Sequence, residues 1–156
     1  MSGILTHPST KSRLEAFMND PAPALLLVGE TGAGKLAAAK HVAASLLGID
    51  PKKIDAHPGF IYIAAESDKK EISIDQIRAV IRKLTLKFAG TGFVRRVVLI
   101  NMAQQMSHPA QNSLLKVLEE PPADAAFILT ASSPAALLPT IVSRCRLLAV
   151  SPTSLS

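Results

Sequence analysis

Cysteine is nearly absent from this chain, and the single thiol, Cys145, rules out an intrachain disulfide and a cysteine-rich zinc site. Tryptophan is missing, and Tyr62 with five phenylalanines supplies all the aromatic surface. No stretch interleaves basic and aromatic residues, so a base-stacking platform for single strands is excluded. No apolar run approaches the roughly 20 residues that span a bilayer, and the opening MSGILTHPSTKSR lacks the apolar segment of a secretory signal. Together with the lone thiol, this predicts a cytoplasmic protein with no membrane partner. His7, His41, His57 and His108 show no metal-ligand spacing, and three of them precede proline in turn-like sequence. There is no GxSxG nucleophile elbow. Glu119 and Glu120 are adjacent, so on a helix they diverge by about 100° and cannot face one substrate as a carboxylate pair.

The chain is otherwise well supplied for folding. Its 156 residues are 48% apolar, enough for one domain with a sizeable core. The net charge of +5 favours polyanions. Without interleaved aromatics, any contact with DNA is expected at phosphates. Five short apolar runs, Ala24–Val28, Phe60–Ala64, Val97–Ile100, Phe127–Thr130 and Leu147–Val150, alternate with helical patterns. That alternation predicts an α/β fold, a five-stranded parallel sheet flanked by helices. The domain is expected over residues 1–150, with 151–156 opening a linker or tail, so the chain reads as one domain of a longer protein.

The most informative stretch is ALLLVGETGAGKL, Ala24–Leu36. An apolar strand runs into a glycine-rich turn and a lysine, and Ala-rich helical sequence follows. Such a turn cradles phosphate: backbone N–H groups wrap an anion at the helix N-terminus, and the lysine adds charge. The spacing is that of a Walker A loop, formed here by Gly29, Glu30, Thr31, Gly32, Ala33, Gly34, Lys35 and Leu36. The last position is at fault. The motif wants a Ser or Thr hydroxyl for Mg2+, and Leu36 cannot ligate a metal.

Further along, Ser73 to Phe88 opens on a capping box and sets Ile74, Ile77, Ile81, Leu84 and Phe88 on one face, with Arg78, Arg82 and Lys83 off it. Another helix is expected from Ser107 until Pro121-Pro122 stops it, with Ala110, Leu114, Leu115 and Leu118 inward. Ser133-Pro134 predicts a capped short helix running to about Val142. Two basic stretches, Gly48 to Gly59 and Ala89 to Arg96, read as surface connections.

With these elements placed, NSLLKVLEEPP (Asn112–Pro122), FILTASSP (Phe127–Pro134) and LLPTIVSRCR (Leu137–Arg146) closely resemble bacterial DNA polymerase III clamp-loader subunits, an AAA+ family. The resemblance covers about Ala24 to Val150. The LEEPP and SRC elements, in this order and spacing, point to the delta-prime or the related tau/gamma members. An AAA+ P-loop NTPase fold is implied. In active members the third strand ends on Asp and Glu, which organise Mg2+ and the attacking water; here Asn101 and Met102 stand there. With Leu36, three polar functions are missing from one metal site. ATP or ADP is therefore expected to bind weakly, Mg2+ is doubtful, and hydrolysis at this site is expected to be lost. The sensor position matches Ser132 or Ser133, although Ser133 is already explained as a helix cap.

The resemblance implies a different role for Arg144 of the SRC element: an arginine finger in trans, reaching the ATP site of a neighbouring subunit. A surface ion pair is the plainer alternative. The helix within Ser67 to Ala89 resembles one that tends to face the sliding clamp in the family, but an ordinary amphipathic helix is the preferred reading, because the apolar stripe is already needed for the core. The zinc cysteines often inserted after the first helix are absent between Gly48 and Phe60, so no zinc is expected. Implied partners are the other clamp-loader subunits (tau/gamma and delta), the sliding clamp and primed DNA. The isolated domain is expected to be monomeric, because the family's collar lies elsewhere. The rival is an active tau/gamma-type ATPase that draws metal ligands from unexpected positions such as Glu30 or Asp124.

Overall fold

Every residue of Ala24–Val28 (β1) is buried, as a strand covered on both faces requires. In this computed structural model, residues 12–13, 15–17, 24–30, 34–86, 94 and 96–150 are described. Thr31, Gly32 and Ala33 of the glycine-rich loop, Phe88, most of the 89–96 connection and the 151–156 tail lie outside them. β1 is followed by helix α1 (Lys35–Leu47), a 3-10 turn at Pro51–Ala56, β2 (Phe60–Ile63) and α2 (Ile74–Thr85). Then come β3 (Arg96–Ile100), a turn at Ala103–Gln105, α3 (His108–Glu119), β4 (Ala125–Ala131), a turn at Pro134–Ala136, α4 (Pro139–Val142) and β5 (Cys145–Ala149).

The strands form one parallel sheet in the order β2-β3-β4-β1-β5. Successive side chains alternate between its faces, which divides the core in two. Leu25, Leu27, Val97, Leu99 and Ile128 meet the buried alanines and Val42 of α1. Ala24, Leu26, Val98, Ile100, Phe127 and Leu129 meet α2, α3 and α4 on the other side. The small alanines let α1 lie close to the sheet behind the loop, so the start of that helix is fixed by packing rather than by a strong amphipathic stripe.

The capping box at Ser73 forms as its sequence predicts: its hydroxyl accepts from Gln76 N–H, and the Gln76 side chain accepts from Ser73 N–H. Ile77, Val80 and Leu84 of α2 are buried, while Arg78, Arg82 and Lys83 are exposed. α3 starts at a Ser107 cap, ends before the proline pair and buries Ala110, Leu114 and Leu118.

Two expectations need correction. Arg96 is not part of a basic surface connection: it opens β3 and is buried. Its guanidinium donates to Asp124 at 2.8 Å and to the carbonyls of Lys83 and Leu86 at 3.1 Å, so it gathers the C-terminal end of α2 and the start of β4. The expected single helix from Ser133 to Val142 is also broken in two. Leu137 and Leu138 are extended between the turn and α4. There the Leu138 N–H donates to Gln111 Oε1 at 2.8 Å, while Gln111 Nε2 reaches the Met106 carbonyl at 3.4 Å. A buried glutamine thus takes a backbone donor that a continuous helix would have used internally.

Candidate functional site

In a parallel sheet, ligands bind beyond the carboxyl ends of the strands, where the strand order reverses. Here that point lies between β4 and β1, since the chain leaves β1 towards β2 and later returns across β1 to β5. A cleft of about 250 Å³ occupies it, lined by Gly34, Lys35, Leu36 and Ala37 from the start of α1, by Asn101, Met102 and Gln104 beyond β3, and by Ala131 and Ser132 at the end of β4. The fold therefore brings Gly34, Lys35 and Leu36 at the end of the glycine-rich loop together with the third-strand pair and one sensor candidate. Ser133 is used differently, as the cap of the following turn, where its hydroxyl accepts from Ala135 N–H at 3.2 Å.

Gly34 sits at φ 83°, where an L side chain is strained, and no atom crowds the position a Cβ would take. Its glycine identity therefore answers to backbone shape and not to lack of space. Among the described residues no side chain caps α1 and its first turn holds no acid, an arrangement that suits an anion at those N–H groups. Lys35 is turned back on its own loop. Its Nζ donates to the carbonyl of Gly29 and to that of Glu30, the latter at 3.2 Å. Desolvation holds its ammonium below the usual lysine range. An incoming phosphate would have to draw Lys35 off these carbonyls.

The third-strand pair is committed elsewhere. Asn101 Oδ1 accepts from the hydroxyl of Thr130 at 2.7 Å, and Asn101 Nδ2 donates to the Tyr62 hydroxyl at 3.1 Å. The Thr130 hydroxyl in turn accepts from Met102 N–H at 2.8 Å. Both ends of the amide are thus engaged by neighbouring strands. Met102 has φ 55°, a left-handed conformation rare for a non-glycine residue, and the residue is 39% exposed. The bond from Thr130 helps to hold that strained backbone. Tyr62 is braced from α1: Lys40 lies 5.6 Å from its ring centroid and pairs with Asp55 at 3.0 Å. Gln104 adds a buried Oε1 with no partner among the described residues.

This donor set does not fit Mg2+. A hard cation takes oxygen ligands, preferably charged ones. Among the described residues the cleft offers no carboxylate: it presents Leu36, a methionine, the Asn101 amide whose oxygen already accepts from Thr130, and only the neutral oxygens of Gln104 and Ser132. Among the described residues no group of three His, Cys, Asp or Glu side chains could hold a metal ion. Of the two alternative ligands considered above, Asp124 is misplaced. It precedes β4, whereas the cleft lies past that strand's other end, about 20 Å away at the usual rise per residue. Its carboxylate is also held by Arg96. The Glu30 side chain is exposed beside the loop.

Arg144 lies away from the cleft, between α4 and β5. One guanidinium nitrogen donates to the Thr140 carbonyl at 3.1 Å and the other meets Glu119 Oε2 at 3.5 Å. Both side chains are partly exposed, at 37% and 48%. The next residue, Cys145, turns against the core, and burial pushes its thiol up to about 12. No helix among the described residues is long and apolar enough to cross a membrane.

Thr130, Tyr62 and Gln111 were not singled out from sequence. Gln111 did carry a signal: it stands three residues before Leu114 and seven before Leu118, a polar residue set into the apolar stripe of α3. Thr130 and Tyr62 carried none, because each sits in a strand whose composition alone accounts for it.

Comparison with known proteins agrees with this architecture. Residues 7–154 match the model of the family described as "DNA polymerase III, delta subunit". The chain is 38% identical over 140 residues to DNA polymerase III subunit delta' of Pseudomonas aeruginosa, covering 80% of this chain and 42% of that protein. It is 36% identical over 144 residues to the Bacillus subtilis protein of the same name, covering 83% and 42%. The chain thus spans less than half the length of these curated relatives. Its fold matches that of a DNA polymerase III gamma-subunit-related protein from Thermotoga maritima with a TM-score of 0.72 at 23% identity, over 93% of this chain and 46% of that one. The five-stranded sheet with its flanking helices is an AAA+ fold, and the chain belongs to the DNA polymerase III delta-subunit family.

Proposed function

We propose that this domain is the AAA+ module of a delta-prime-type clamp-loader subunit in bacterial DNA replication, silent as an ATPase at its own loop and supplying Arg144 to a neighbour's ATP site. The observation that carries the first part is the state of Asn101. An amide held at both ends by Thr130 and Tyr62 has its oxygen already accepting from Thr130 and brings no charge to balance a cation. Met102, in the adjacent position, can neither polarise water nor accept a proton. The loop retains anion-binding features, the open first turn of α1 and Lys35, so weak binding of ATP or ADP phosphates is part of the reading.

Arg144 supports the second part by its place at the domain edge and its partial exposure. A guanidinium there can cross to an adjoining subunit and stabilise charge on a transferred phosphoryl group. The partners are then the tau/gamma and delta subunits, the sliding clamp and primed DNA held through phosphates, in the cytoplasm.

The test is steady-state hydrolysis with Mg2+ alongside calorimetric titration of ATP. No turnover above background and weak binding are expected. Turnover that vanishes in Lys35→Ala would establish an active site and overturn the silent-loop reading in favour of a tau/gamma-type ATPase.

A further inference from the structure

The guanidinium of Arg144 is fixed from two directions that are distant in sequence. Thr140, four residues earlier on α4, supplies a carbonyl at 3.1 Å. Glu119, the last residue of α3 and 25 positions away, supplies a carboxylate oxygen at 3.5 Å. The C-terminal end of α3 adds its own partial negative charge beneath the same cation. Glu119 belongs to the LEEPP element and Arg144 to the SRC element, so the two most distinctive sequence motifs of the chain meet in this one contact.

An exposed arginine left to itself samples many rotamers, and ordering such a side chain at an interface carries a substantial entropic cost. The carboxylate contact is single-pronged and partly exposed, so it contributes little to folding and is easily exchanged for a stronger anion. Those properties suit aim better than stability. We infer that Glu119 is a positioning residue for Arg144: it preorders the guanidinium at the domain edge, where the neighbour's phosphate then takes the carboxylate's place. This inference depends on the trans role of Arg144 proposed above.

The experiment uses the full-length protein in a reconstituted clamp-loader assembly whose neighbouring subunit holds the sole competent ATP site, with incorporation of each variant confirmed. Glu119→Gln is expected to lower DNA-stimulated ATPase by about two- to five-fold, the range set by losing one exposed ion pair. The melting temperature should be unchanged, and Glu119→Asp should restore part of the rate. Arg144→Ala is expected to lower the rate much further, and adding Glu119→Gln to it should change nothing more, since the carboxylate acts only through the arginine. A wild-type rate in Arg144→Ala would defeat the trans role itself. If Arg144→Ala is impaired, the positioning role is overturned by Glu119→Gln at or above the wild-type rate, or by a further loss in the double variant.

Discussion

Asp124→Asn is expected to destabilise the domain markedly while leaving nucleotide binding untouched. The substitution keeps the shape of the side chain and removes its charge. Arg96, whose side chain is only 7% exposed, then keeps a guanidinium that cannot shed its proton inside a largely dry site. Breaking a buried pair in this way costs about 3–5 kcal/mol, but the Asp124 side chain is 26% exposed, so water can reach the contact and a loss of about 2–3 kcal/mol is expected. For a domain of this size that is roughly 5–10 °C in Tm. Arg96→Met should cost at least as much, because it also strips the carbonyls of Lys83 and Leu86 of their donor. The two substitutions together should cost less than their sum, since the double variant leaves no unpaired charge behind. Urea unfolding monitored by circular dichroism measures each value, and ATP titration runs in parallel. A change in stability below about 0.5 kcal/mol for Asp124→Asn would mean that the carboxylate charge does not hold Arg96 in place. Weakened ATP binding without lost stability would instead revive Asp124 as a metal ligand.

Thr130→Val keeps the side-chain volume but leaves Met102 N–H and Asn101 Oδ1 without their shared hydroxyl. About 1–3 kcal/mol of stability should be lost. Faster hydrogen exchange at Met102 should mark the site, and exchange unchanged at that amide would count against the network. Cys145 should resist alkylation in the native state. Its thiol is raised from 9.0 to about 12 by burial, so at pH 8 its thiolate population falls roughly 1,000-fold below that of the unfolded chain. The sign follows for stability: the unfolded thiol ionises first, so stability is lost as pH climbs from about 9 towards 12. Rapid labelling at pH 8 without urea would show that the SRC segment opens.

Much of the fold was legible because apolar runs and caps are local signals. β1 lies where the run Ala24–Val28 predicts it, and Ser73, Ser107 and Ser133 all cap as their neighbours suggest. β5 begins two residues before the apolar run that predicted it: Cys145 and Arg146 pair with β1 although the strand lies at the sheet edge, where half its side chains meet solvent. The break before α4 has a local signal, Pro139, which holds Leu138 out of the helical region, but the Gln111 side chain that takes the Leu138 N–H lies 27 residues away in sequence. The same holds for the cleft. Leu36 was legible as a departure from the Walker A spacing, and Asn101 and Met102 as departures from the family the chain resembles, but not the hydrogen bonds of the asparagine, since Thr130 and Tyr62 reach it from other strands.

Arg96 and Asp124 clasp the sheet at the end opposite the cleft, and this separation bears on how such a domain could have changed over evolutionary time. Residues at the carboxyl ends of the strands could be exchanged one by one without loosening the clasp at their amino ends. Selection for a stable scaffold and selection for catalysis would then act on different ends of the same strands. A lineage could abandon the second and keep the first, with no unfolded ancestor in between.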